Sequence, residues 1–149
     1  MIEKPVYNSE EEINLRLRTL TLIRWIAVFG QLGAIIISFY YLDFVFNVYQ
    51  AFFLILCSAV LNIIIMIRYP LTKILNFSET FYFLFYDLIQ LVLLLSLTGG
   101  LTNPFCVLIL APIVIAATYL DLKRTFLIVT ISVLSVTALV FLYFPFESV

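Results

Sequence analysis

Two groups of residues in this sequence could do chemistry. The first consists of polar side chains set within apolar runs: Arg24 and Gln31 in one run, Asp87 and Gln90 in another. An ionisable side chain in hydrocarbon is costly unless it is paired or hydrated, so Asp87 needs a partner. At 1.5 Å per residue it lies about 9 Å from the inner end of its run, and Arg24 lies about 6 Å from the inner end of its own. The two are therefore predicted to form an ion pair. Gln90 follows Asp87 by one helical turn and Gln31 follows Arg24 by two, so each helix carries a polar stripe. Such a network can be interhelical adhesion, with bonds worth about 1 kcal/mol each and Arg24 reaching for the inner interface. It can also couple a ligand site to the inner side, or define a pocket of its own.

The second group is the connection Thr98-Gly99-Gly100-Leu101-Thr102-Asn103-Pro104-Phe105. Glycine closes a helix in the left-handed conformation, Asn caps the next helix, and Pro fits the first helical position, where its missing donor costs nothing. A well-capped helical hairpin explains every one of these residues. A ligand would explain them too: Gly-Gly permits close backbone approach, and a helix start presents unpaired N–H groups and the positive end of a dipole. Asn103 could donate a hydrogen bond beside the apolar ring of Phe105. A carbonyl or partly reduced oxygen suits that spot, as in a quinone headgroup site at the membrane edge.

The elements that must hold these residues are membrane helices. Of 149 residues, 64% are hydrophobic and 11% charged, and mean hydropathy is +1.18, whereas a soluble domain carries about 25% charged residues. Five apolar runs, 20–42, 48–67, 81–97, 105–120 and 126–144, approach the roughly 20 residues that a hydrocarbon core requires of a helix. The expected fold is all-α: a polytopic bundle of five transmembrane helices, with a segment 1–19 ahead of a membrane domain 20–149. Run one lacks the length limit and cleavage site of a signal peptide and is read as an anchor.

Charge sets the expected orientation. Lys4, Arg16, Arg18 and Arg24 precede or begin run one, Arg68 and Lys73 follow run two, and Lys123 and Arg124 follow run four. The connections around Asp43 and Gly99-Gly100 have no Lys or Arg, which places the N-terminus in the cytoplasm and the Gly99–Phe105 turn in the periplasm. Five crossings then leave Val149 outside, so a cytoplasmic output domain would need a further crossing.

Several classes are disfavoured. Histidine is absent, which removes imidazole acid–base chemistry, imidazole metal ligation and a phosphorylatable His. Cys57 and Cys106 make neither a zinc site nor a disulfide scaffold, so no metal is expected. With a net charge of -1 there is no basic excess for nucleic acid.

Arg24-Trp25-Ile26-Ala27-Val28-Phe29-Gly30-Gln31, Tyr86-Asp87-Leu88-Ile89-Gln90-Leu91 and, above all, Gly99-Gly100-Leu101-Thr102-Asn103-Pro104-Phe105 resemble the membrane half of RegB/PrrB-type redox sensor histidine kinases. The hallmark there is Gly-Gly-x-x-Asn-Pro-Phe. The resemblance runs from about the first span to Pro112 and implies a bacterial inner-membrane input domain that senses ubiquinone through Gly99, Gly100, Asn103, Pro104 and Phe105. It further implies a homodimer and a response regulator served by a kinase domain. The sixth span, cytoplasmic redox cysteine, phosphoacceptor His and ATP-binding domain of that family are not found in this sequence, so the chain itself is expected not to be an enzyme.

Two other functions compete. Asn103-Pro104 could begin a half-helix lining a pore, with Asp87 on a proton or cation path, although no inverted repeat supplies a counterpart. The chain could also be a structural membrane subunit. Two lesser features carry expectations as well. Ala27, Gly30 and Ala34 form a small-residue surface suited to close helix packing or dimerisation, and Pro112 should free the Leu108 carbonyl and could kink the fourth span.

Overall fold

Apolar runs in a bilayer must satisfy their backbone groups internally, and the described residues do so with helices. The computed structural model describes residues 16–40 and 48–142. In order these form α1 (Leu17–Tyr40), α2 (Val48–Arg68), α3 (Phe77–Leu97), 3-10 turns over Gly100–Thr102 and Pro104–Ile109, α4 (Leu110–Tyr119) and α5 (Leu122–Leu142). Among the described residues there is no strand, only an isolated bridge from Arg16 to Ile74. The protein is an all-α polytopic membrane bundle of five helices.

Four of the helices, α1, α2, α3 and α5, are long and apolar enough to cross a membrane, and the apolar helix Phe105–Tyr119 is shorter. Its winding compensates for its length. Six residues at the 3-10 rise of about 2.0 Å and ten at the α rise of about 1.5 Å add up to roughly 27 Å, close to a hydrocarbon core. Bulky apolar side chains such as Ile26, Phe29, Phe53, Leu134 and Phe141 point outward, which suits a lipid surround.

The third helix begins at Phe77, four residues before the run expected from hydropathy. Glu79 reaches back to the Asn76 amide at 3.0 Å and also receives the Lys73 ammonium at 2.6 Å, so polar residues open the helix as a capping box. At the same end of the bundle, the amides of Leu17 and Arg18 donate to the Lys73 and Leu71 carbonyls. The start of α1 is thereby tied to the α2–α3 connection, over a core of Leu17, Leu20, Ile65 and Leu75. The expected ends at 41–42 and 143–144, and the segment before Arg16, lie outside the described residues.

α3 is the hub. It buries Thr80, Leu84, Leu88, Leu91 and Leu95 at three- and four-residue spacing, one helical face, and packs on α2, α4 and α5. α1 packs on α2 through Val28, Ile35, Ala51 and Ile55. By contrast, the α1–α3 and α1–α4 pairs are not closely packed backbone to backbone. Long side chains span the first of these gaps, and their identity defines the site.

Candidate functional site

Arg24 and Asp87 meet across the α1–α3 gap, with Nη2 3.0 Å from Oδ1. Arg24 is 3% exposed and Asp87 22%. The guanidinium also lies 5.7 Å from the ring centre of Phe83 and 5.5 Å from that of Tyr86, so aromatic faces share its charge. Its Nε and Nη1 have no hydrogen-bond acceptor among the described residues. A buried donor left unpaired costs about 1–3 kcal/mol, and this guanidinium leaves two.

One level nearer the Gly99–Phe105 turn, Gln31 and Gln90 exchange hydrogen bonds. Gln90 Nε2 donates to Gln31 Oε1 at 3.0 Å and Gln31 Nε2 donates back to Gln90 Oε1 at 3.5 Å. The four polar residues therefore stand together as two rungs between α1 and α3. Beside them, Leu108 of the 3-10 turn and Ala111 and Pro112 of α4 contribute to a cavity of about 280 Å³ that Arg24, Gln31, Asp87 and Gln90 also line. A dry apolar cavity of about 150 Å³ accepts benzene, so this space has room for a substituted ring.

The turn is differently disposed. Gly99 and Gly100 adopt φ of 96° and 59°, left-handed values that a side chain would strain. They fold the chain back so that Asn103 Nδ2 donates to the Thr98 carbonyl and to Thr98 Oγ1, both at 3.0 Å. Its Oδ1 accepts the Phe105 amide at 2.9 Å, and Pro104 occupies the first position of the following 3-10 helix. Asn103 is 3% exposed, and its polar atoms are engaged within the turn. Behind Asn103 and Phe105 is a space of only about 20 Å³, room for about one water. That space shares Gln31, Leu91 and Leu108 with the larger cavity, so the turn roofs a seam that widens toward Arg24.

Comparison with known proteins bears on this arrangement. Over 130 residues, 87% of this chain and 28% of the relative, the sequence is 39% identical to the sensor histidine kinase RegB of Cereibacter sphaeroides. A second RegB from a strain of that species is 40% identical over 77 residues, 52% of this chain and 17% of that protein. The chain matches the membrane sensory region of RegB-type sensor histidine kinases. It spans little more than a quarter of the length of the first of these relatives. No protein-family profile matches it, and no solved structure does.

In this region similar to RegB several polar residues outside the expected set are buried as well. Asn62 of α2 is fully buried and its Nδ2 donates to the Thr21 carbonyl of α1 at 3.3 Å. Ser58 lines the cavity from α2. A lone Asn in the second apolar run was a readable signal, because intramembrane amides usually bond across helices. The small-residue surface of α1 is split: Ala34 is buried, but Ala27 and Gly30 are exposed and edge the cavity. They leave a gap where close packing was expected, because Arg24 and Gln31 hold the neighbouring helix at arm's length. Pro112 falls in the first turn of α4, just after the 3-10 winding; ahead of it the Leu110 amide turns back to the Val107 and Leu108 carbonyls.

No metal-binding cluster of His, Cys, Asp or Glu occurs among the described residues. Chemically, the seam offers unpaired hydrogen-bond donors beside an apolar space; an activated nucleophile is not among its residues.

Proposed function

We propose that the chain is an inner-membrane input domain that reads the redox state of the ubiquinone pool and passes it to a cytoplasmic histidine kinase domain, which in turn addresses a response regulator. The carrying observation is the Gly99–Phe105 turn folded over a seam that leads to the Arg24–Asp87 rung. In this reading Gly99, Gly100, Asn103, Pro104 and Phe105 shape the outer end of the seam, and oxidised and reduced quinone favour different helix arrangements. No bond is made or broken by the domain. The Lys and Arg distribution supports a cytoplasmic N-terminus and a periplasmic turn, and a homodimer is the working assembly.

The test is saturable binding of a short-chain ubiquinone analogue to the purified chain, compared with Asn103→Ala and Phe105→Ala. Weaker binding in both folded variants is the expected result. Equal affinity in all three would remove the turn from the site, and absence of saturable binding would remove quinone sensing. Proton or cation flux through vesicles containing the chain would favour the transport reading instead.

A further inference from the structure

The seam contains a buried guanidinium with unused donors, and the turn does not. We infer that the cavity between α1, α3 and α4 is the seat of a neutral, ring-sized carbonyl compound carried in the bilayer. The compound passes between α1 and α4 and accepts hydrogen bonds from Arg24. The inference rests on the proposed quinone reading only for the choice of probe; the cavity and the unpaired donors carry the rest.

Three observations converge. First, Arg24 is 3% exposed, lines the cavity, and has no acceptor for Nε or Nη1 among the described residues. Second, its charge is already balanced by Asp87 at 3.0 Å. The remaining N–H groups therefore call for an acceptor without charge: an anion would meet the Asp87 carboxylate, and a cation would meet Arg24. Third, apart from Arg24, Asp87, Gln31, Gln90 and Ser58 the wall is apolar, with Leu84, Leu91 and Leu108 around a space of about 280 Å³. That combination of apolar lining and a few convergent polar groups is the usual make-up of a small-molecule site.

Access is built in. Ala27 and Gly30 on α1 and Ala111 on α4 edge the cavity and are exposed on the outer face of the bundle, where α1 and α4 are not closely packed. A Cβ placed on Gly30 would meet nothing within 4 Å, and the same holds for Gly33, which does not line the cavity. A leucine can therefore be set at either position, in the portal or beside it, without an immediate Cβ clash.

The test titrates tetramethyl-1,4-benzoquinone against the fluorescence of Trp25, the single tryptophan, in micelles of the purified chain. Gly30→Leu should weaken binding by at least roughly tenfold, about 1.4 kcal/mol, and Gly33→Leu should leave it within about twofold. Tetramethylbenzene, the same ring without carbonyls, should compete poorly against wild type, and Arg24→Met should erase that preference. Should Arg24→Met fail to fold, the paired leucine variants still decide.

Unchanged binding in Gly30→Leu would overturn the cavity as the seat, and equal competition by tetramethylbenzene would overturn the carbonyl class. In either case binding that still saturates and still depends on Asn103 leaves the quinone reading standing. Absence of saturable binding in every variant sinks that reading along with this one.

Discussion

Gln31 and Gln90 face each other across α1 and α3 as mutual donor and acceptor, at 3.0 and 3.5 Å. Each amide satisfies the other, so removing one strands its partner in an apolar setting. Gln31→Leu or Gln90→Leu should each destabilise the bundle by about 1–2 kcal/mol. The double leucine variant should cost clearly less than the two summed, because no amide is left unpaired. Reversible unfolding in mixed micelles measures the cycle, and strict additivity would mean that the pair is not coupled.

The Arg24–Asp87 pair gives a sharper contrast. Removing one member leaves a buried charge uncompensated, so Asp87→Leu should cost about 3–5 kcal/mol. Exchanging the charges, Arg24→Asp with Asp87→Arg, should recover a substantial part of that loss. Thermal unfolding of the two proteins makes the comparison, and a swapped protein no better than the single variant would count against pairing.

At the turn, Gly99→Ala places a side chain at φ 96°, a conformation that costs L-residues about 1–2 kcal/mol. Asn103→Ser keeps an oxygen near the Phe105 amide but loses the two bonds to Thr98. It should therefore lose about 1–2 kcal/mol, while Asn103→Ala also gives up the cap and loses more. Hydrogen exchange at the Phe105 amide separates them: faster in the alanine variant, near normal in the serine variant.

Where α4 gives way to α5, Arg124 donates from Nη1 to Asp121 Oδ1 at 2.7 Å and from Nη2 to the Ser78 hydroxyl of α3 at 3.0 Å. The Arg124 hydrogen bond, reinforced by its charge, holds the Asp121 carboxyl below its ordinary range. A depressed folded-state pKa stabilises the fold above the ordinary Asp value of about 3.9 and loses that contribution as pH falls through the lower value. The pair is partly solvated, so its effect on stability is small. The carboxyl carbon chemical shift of Asp121, followed by NMR, should titrate below the ordinary range in wild type and within it in Arg124→Gln.

Much of this fold can be read along one dimension. The helices follow apolar runs, and α1 and α3 display Arg24, Gln31, Asp87 and Gln90 at spacings that suggest facing rungs. The early start of α3 was legible too, since Asn76 and Glu79 stand three apart ahead of an apolar run. Other features depend on what lies across the bundle. Nothing local announces that Asn103 spends its donors on Thr98, because that requires two successive left-handed glycines to reverse the chain. The cavity was equally hidden: Ala27 and Gly30 have the composition of a tight helix contact, and only the span of Arg24 and Gln31 toward α3 turns them into an edge. Nor does the sequence Pro104–Ile109 distinguish 3-10 from α winding, which differ by a single hydrogen-bond register.

That winding makes the fourth crossing a screw thread. Were the six residues Pro104–Ile109 to relax to α pitch, everything after them would be drawn toward the Gly99–Phe105 turn by about 3 Å and rotated by about 120°. Leu108, Ala111 and Pro112 would then leave the cavity wall together, and the same small rewinding would be felt at the far end of the helix, where Tyr119 hands the chain to α5.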